Sequence, residues 1–457
     1  MVSQPTGRRS SIKMTGSVPM IRNSSEEAFS PEWVETNITN PVHDLVIIRE
    51  IIPWKKIAAR LCQFYNKSRG ASGKSLRMMT AVLIVMKYYQ LSGRHVADQI
   101  KENRYIQYFC NVSDTGLQVF LHHTSLCIFR KRIGEEGIAI IEKEVFETLR
   151  RAGIIRGGNA LIDSGVPENK IIHPNDVHLI FRAFKKMKQF AKLHNIPVWW
   201  DTDGINKMWR AFNLTKGNDR AAWLIRFNML FIPALTVSGE KIGSLQSTQK
   251  RKTKAAKMLK LLNLPEEQTV QKIKGEMHIK NRIVSIDEPD ARPVKKGKIY
   301  PDCGFGTAMQ MTFSREGFMI TAENFIGSPN DKTLFPGTVA LFKKRMKKEP
   351  DTVVTGPGFR SSGNFKAAKD ISSVFLGRSA DVSEEKQEFC RKSRSAAEGF
   401  TAVAKNLRGF GCSLYRGLKG DRIWSLLCQT AYNLKKFIQI WRKEEIGEEY
   451  LTRLNPA

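Results

Sequence analysis

Two stretches of this chain carry residues whose types and spacing could do chemistry. Asn159-Ala-Leu-Ile-Asp163 is a short apolar run ending in a carboxylate, the pattern of a buried strand with an acidic tip. Arg391-Lys-Ser-Arg-Ser-Ala-Ala-Glu-Gly-Phe-Thr-Ala-Val-Ala-Lys405 reads as a helix. In that helix Arg394 stands four residues before Glu398 and Lys405 seven after it, so all three share one face. Such a stripe has a plain reading, an exposed salt-bridged helix face, and a sharper one, a carboxylate that meets Asp163. A basic cluster at Lys250-Arg251-Lys252-Thr-Lys254 has the charge for phosphate contacts.

The elements that would position these residues divide the chain. Residues 1–40 are rich in Ser, Thr, Pro and Gly, with Arg8, Arg9 and Lys13, and are expected to be a flexible basic tail. Residues 41–150 read as an all-α domain, with an apolar helix from Ser75 to Tyr89 punctuated by Ser92-Gly93. Its Arg94, Arg104, Arg130, Lys131 and Arg132 either face DNA or cover solvated helix surface. Residues 151–445 read as a mixed α/β domain: strand, a helical insertion at about 175–280, two strands, helix, strand, helix. The apolar stretch Ala221 to Val237 contains Arg226, Asn228 and Pro233 and is expected to be buried core, with no membrane partner. Residues 446–457 form a short tail.

Lys and Arg number 74 against 44 Asp and Glu, a formal net charge of +30. That excess calls for a polyanion as partner. Seven cysteines, an odd number with no CxxC pair, argue against a disulfide framework or a zinc module and for a reducing compartment. No apolar segment of the secretory kind follows Met1. A cytoplasmic, DNA-associated protein is expected.

Four segments, in order along the chain, resemble bacterial insertion-sequence transposases of the DDE type. The stripe Arg394-x3-Glu398-x6-Lys405 is similar to their Y-R-E-K signature, with Arg391 at the Tyr position. Asp163-Ser-Gly-Val-Pro-Glu-Asn-Lys-Ile-Ile-His-Pro-Asn-Asp176 resembles the first-aspartate motif. Ser285-Ile-Asp-Glu-Pro-Asp-Ala-Arg-Pro-Val-Lys-Lys-Gly-Lys298 resembles the segment leading into the second strand. Leu414-Tyr-Arg-Gly-Leu-Lys-Gly420 followed by Asn433-Leu434-Lys435 resembles the C-terminal motif. The helical block at 41–150 also resembles the DNA-binding domain of that group.

The resemblance implies a ribonuclease-H-like fold holding three carboxylates around two divalent metals, magnesium or manganese. It gives Asp163 and Glu398 roles as catalytic metal ligands, and Arg391, Arg394 and Lys405 roles as phosphate binders. The implied partners are double-stranded DNA, as element ends and target, and a second copy of the chain on DNA. One part is missing. The motif expected to carry the second aspartate is Val353-Val-Thr-Gly-Pro-Gly-Phe359, and Gly356 stands where the aspartate should be. Two functions therefore remain: a cleaving and joining transposase, or an inactive derivative that only binds DNA. Asp351 lies at the other end of the same short strand and is a poor substitute.

Overall fold

The computed structural model describes residues 29–66, 73–112, 121–169, 171, 175–216, 220–243, 248–276, 278–295, 303–327, 329–377 and 383–443. The chain divides into two compact units, one formed by residues 1–152 with 438–457 and the other by 153–437.

The first unit is helical: α1 (Pro31–Asn37), α2 (Asp44–Ile51), α3 (Trp54–Leu61), α4 (Leu76–Tyr88), α5 (Gly93–Glu102), α6 (Arg104–Cys110) and α7 (His123–Arg151). Side chains of Ser30, Ser75, Ser92 and Asn103 accept backbone N–H bonds and start α1, α4, α5 and α6. α4 is buried almost all round, with Val82, Leu83 and Val85 fully enclosed, so it forms the centre of the unit. Gly134, at φ 62°, kinks α7. The expected tail of 1–40 is corrected at its end. Pro31 sits in the first turn of α1 and Phe29 and Ile38 are buried, so this short segment has enough apolar anchorage to fold. Residues 1–28 and 446–457 lie outside the described residues.

The second unit runs β1 (Asn159–Gly165), β2 (Glu168–Asn169), α8 (Asp176–Leu193), α9 (Thr202–Leu214), α10 (Arg220–Gly243), α11 (Gln249–Ile273), β3 (Arg292–Lys295), β4 (Cys303–Gly306), β5 (Ala308–Phe313), β6 (Met319–Phe325), α12 (Asp331–Met346), β7 (Thr352–Thr355), α13 (Ser362–Ala367), β8 (Ser373–Leu376), α14 (Glu384–Leu407), β9 (Cys412–Ser413) and α15 (Gly417–Lys443). The end of α15, from Ile438, belongs to the first unit. The chain is thus mixed α+β, helical first and α/β later.

The main sheet has the order β6-β5-β1-β7-β8. β5 is antiparallel to both neighbours, whereas β1, β7 and β8 are parallel. Side-chain alternation separates its faces. Leu161, Met309, Met311 and Phe313 share one core with Ala397 and Ala404 of α14 and Trp424 and Cys428 of α15. On the opposite face, Thr338 of α12 donates to Gln310 of β5. A smaller sheet has the order β3-β4-β2-β9, and its strands are interleaved along the chain with those of the main sheet.

The insertion between β2 and β3 is α8 to α11, built around Phe181, Phe184, Phe227 and Phe231. Asp176 accepts from Lys272 and from Arg282 (2.7 Å), tying α8 to α11 and the following loop. α10 meets the expectation of buried core along one face, where Leu224, Phe227, Phe231 and Ala234 pack inward. Residues Ala222–Lys241 are long and apolar enough to cross a membrane by length and composition only, a test that the core helix of a soluble protein also passes. Ile225, Met229 and Ile232, spaced four and three apart, remain exposed on the other side.

Candidate functional site

The central strand positions the first acid. Asp163 lies opposite Met311 of β5, on the face covered by α14, and is half-buried. Its Oδ1 accepts from the Ser164 backbone N–H at 2.9 Å. The parallel register with β7 ends at Ile162 opposite Thr355. Asp163 and Gly356 are each the next residue after this last pair, Asp163 within β1 and Gly356 just past the end of β7. Gly356 is extended (φ −68°, ψ 168°), and a Cβ built there meets nothing within 4 Å. Asp351 is exposed before the opposite end of β7, where its N–H donates to Gly158 (2.7 Å).

α14 crosses this edge. Near its start the Cys390 thiol approaches the carbonyl of Gly377, just past β8. At its end Lys405 lies against β1: a Cβ on Gly165 would stand 2.7 Å from the Lys405 amine. The absence of a side chain at Gly165 therefore admits Lys405, on the same face as Asp163. Glu398 falls between these two anchor points, and in the sheet β7 with its Gly356 falls between β8 and β1. Glu398 is exposed, with Arg394 at 3.6 Å and mostly covered. Cys390, Ala397, Thr401 and Ala404 supply the buried stripe that holds the helix down.

A cleft of about 970 Å³ opens beside this helix, lined by Phe375, Gly377, Arg391, Arg394, Ser395 and Glu398 among others. Arg391 is paired at the wall of this cleft with Glu388. Its Nε (2.8 Å) and one terminal nitrogen (2.7 Å) donate to Glu388, and those hydrogen bonds lower the Glu388 carboxyl to about 2. Arg251 and Lys252 are exposed on α11 of the insertion, and no contact among the described residues brings them to Asp163. Lys250 is the second residue of the same helix, and its side chain lies outside the description.

Sequence reasoning missed Asp331, in the first turn of α12. Its Oδ1 accepts from Ser164 Oγ at 2.8 Å. Its Oδ2 lies 3.0 Å from where a Cβ on Gly358 would be. Burial raises its carboxyl above the usual range, the Ser164 hydrogen bond opposes this, and the charge of Asp163 adds to it. In the sequence Asn330-Asp331 reads only as a helix start, since Asn330 caps α12. The donors at this edge are all oxygens, which suits a hard divalent cation. Among the described residues no three His, Cys, Asp or Glu side chains are gathered as a metal site.

Residues 34–132, from α1 into α7, match the family described as a transposase domain (DUF772). The chain is also 28% identical over 169 residues to the uncharacterized protein ORF8 in the nfe locus of Rhizobium meliloti. That match covers 35% of this chain and 79% of the relative. No solved structure matches. The comparisons support a transposase family, through the helical domain of the first unit.

Proposed function

We propose that this chain is the transposase of a bacterial insertion sequence. It binds the element's ends and target as double-stranded DNA, assembles with further copies there, and cleaves and joins strands with magnesium or manganese. The setting is the bacterial cytoplasm, at the nucleoid. The observation that carries this reading is the register that sets Asp163 beside the end of β7, under a helix bearing Arg394, Glu398 and Lys405. The mixed sheet β6-β5-β1-β7-β8, with β5 reversed, is compatible with the ribonuclease-H-like fold that the family resemblance implies.

A divalent metal at this edge supplies activation of the attacking oxygen and stabilisation of the leaving one. Asp163 and Glu398 are the residues to hold it. The Ser164 N–H fixes one Asp163 oxygen and leaves the other for the ion. Arg394 and Lys405 hold phosphate oxygens against the site, by fork and by point charge.

The test is strand cleavage of end-containing DNA with magnesium or manganese. The chain should cleave, and Asp163→Ala and Glu398→Ala should each abolish it. Cleavage untouched by both changes removes this assignment. The second reading, DNA binding without chemistry, is favoured by one observation, the glycine at 356. It predicts tight, salt-sensitive DNA binding and no cleavage until Gly356→Asp is introduced. With +30 to neutralise, affinity should fall on the order of a thousandfold or more between 50 and 200 mM salt.

A further inference from the structure

We infer that the first half of α7 is the element that reads DNA sequence, with Thr124, Cys127, Ile128 and Lys131 turned to base edges in the major groove of a duplex. This rests on the reading of the chain as a DNA-binding transposase, and names the surface of the helical unit that selects sequence.

α7 changes character at Gly134, where the backbone (φ 62°, ψ −160°) breaks the helix direction. Before the kink, His123–Ile133 carries Arg130, Lys131 and Arg132 and no Asp or Glu. All five glutamates of the helix come after it. The second half is packed, with Ile138, Ile141, Val145 and Leu149 buried. The first half gives the core a single stripe, Leu126, Phe129 and Ile133. Thr124, Cys127, Ile128 and Lys131 fall at i, i+3, i+4 and i+7 on the opposite side, and all four are exposed. Ile128 is 58% exposed, a β-branched apolar side chain set among polar and cationic ones.

A second helix adds charge beside this face. A Cβ built on Gly93, the first residue of α5, would stand 3.8 Å from the His123 Cβ, so the starts of α5 and α7 are neighbours. Arg94 and His95 are exposed there. Desolvation lowers the His123 imidazole, and the charges of His122 and Arg94 lower it further, as expected where positive charge gathers. The two helix starts contribute positive dipole ends of their own. Arg132 is held over the Tyr65 ring, 4.5 Å from its centre, and is left out of the face. A cationic rim suits phosphates, and the centre suits bases: Ile128 against a thymine methyl, Thr124 on a base edge, Lys131 on guanine acceptors. A duplex supplies both chemistries at once, and its negative charge complements a face that carries no carboxylate.

The probe is a pool of duplexes randomised over about two turns of DNA, from which the full chain selects its preferred sequence. The chain should bind the pool and enrich one sequence. Thr124→Ala with Ile128→Ala removes no charge. Affinity for the unselected pool should therefore stay within about twofold, while preference for the enriched sequence falls about tenfold. An unchanged preference in this double variant overturns the inference. Binding of the pool with no sequence enriched also overturns it, and both results leave DNA binding by the chain standing. No binding of the pool by the chain overturns the proposed function as well. A readout without any substitution covers the case in which the double variant does not fold. Cys127 is the exposed one among the seven cysteines and lies in the middle of the face. The enriched duplex should slow its alkylation by iodoacetamide about tenfold, with the half-buried Cys62 and Cys303 as internal references. Equal alkylation of Cys127 in the free and the bound chain overturns the inference.

Discussion

Two acidic regions of the second unit are built from the same residue types and behave differently. In one, the loop 285–290 and α15 meet. Asp287 accepts from Arg182 and from Lys186 (2.6 Å). Burial works to raise its carboxyl, but the hydrogen bonds from Lys186 and Arg182 prevail and lower it. Glu288 accepts the Gly417 N–H and Asp290 the Leu418 N–H, both at 2.8 Å, so they satisfy the first turn of α15. Asp421 is 1% exposed and accepts from Thr307 (3.0 Å) and Asn169 (3.3 Å). In the other region, at the ends of β1 and β7, Asp163 accepts one backbone N–H and Glu398 is 67% exposed beside a loosely placed Arg394. Carboxylates saturated by the protein hold the fold, while those left with open oxygens are available to a cation or a phosphate's counter-ion. The lesson extends to motif reading: within the segment from Ser285 that resembles transposases, Asp287, Glu288 and Asp290 serve ion pairing and helix capping, and 292–295 form β3.

The comparison can be broken by exchanging the consequences of its two halves. The largest effect should come from Asp421→Ala. It leaves the Thr307 hydroxyl and Asn169 amide without their buried acceptor and should cost about 2–4 kcal/mol of stability in denaturant melts. Cleavage per folded molecule should be unchanged; a specific loss would place Asp421 in the chemistry.

Glu398→Ala should act the other way. Cleavage should be abolished, a drop on the order of a hundredfold or more, as for loss of a metal ligand, with the melt unmoved. A large stability loss with retained cleavage would make Glu398 a structural residue.

Gly356→Asp sharpens the contrast by adding a third open carboxylate. The extended backbone and empty surroundings should accept it within about 0.5 kcal/mol. Cleavage should rise about tenfold, measured on the same DNA. No gain would mean the edge already has its full set of ligands.

Arg391→Ala should have the smallest effect. Its guanidinium is held by Glu388 on exposed surface, so DNA affinity by titration should change less than about threefold. A larger loss would mean that DNA displaces Glu388.

The strand begun at Asn159 and the helix with Arg394, Glu398 and Lys405 were legible because each is a local pattern. A short apolar run and helical spacing need no distant partner. The exposed face of α10 was not legible, since an apolar helix carries the same signal whether one side or both are covered. Asp331 was not legible either, because Asn-Asp before a helix is ordinary capping until a strand from 167 residues earlier delivers Ser164 to it.

By itself, the sequence determined the charge, the helical and α/β halves, the acid in a short apolar strand (which runs on two residues past it, to Gly165), the one-faced helix and the glycine at 356. Those properties reside in composition and short-range periodicity. Tertiary structure alone decided which carboxylates stay open. It capped α15 with Glu288 and Asp290, ended the β1–β7 register one residue before Asp163 and Gly356, and brought Asp331 to Ser164 across the other face. Whether a carboxylate serves the fold or a cation depends on which donors long-range pairing brings to it, and no spacing along the chain encodes that.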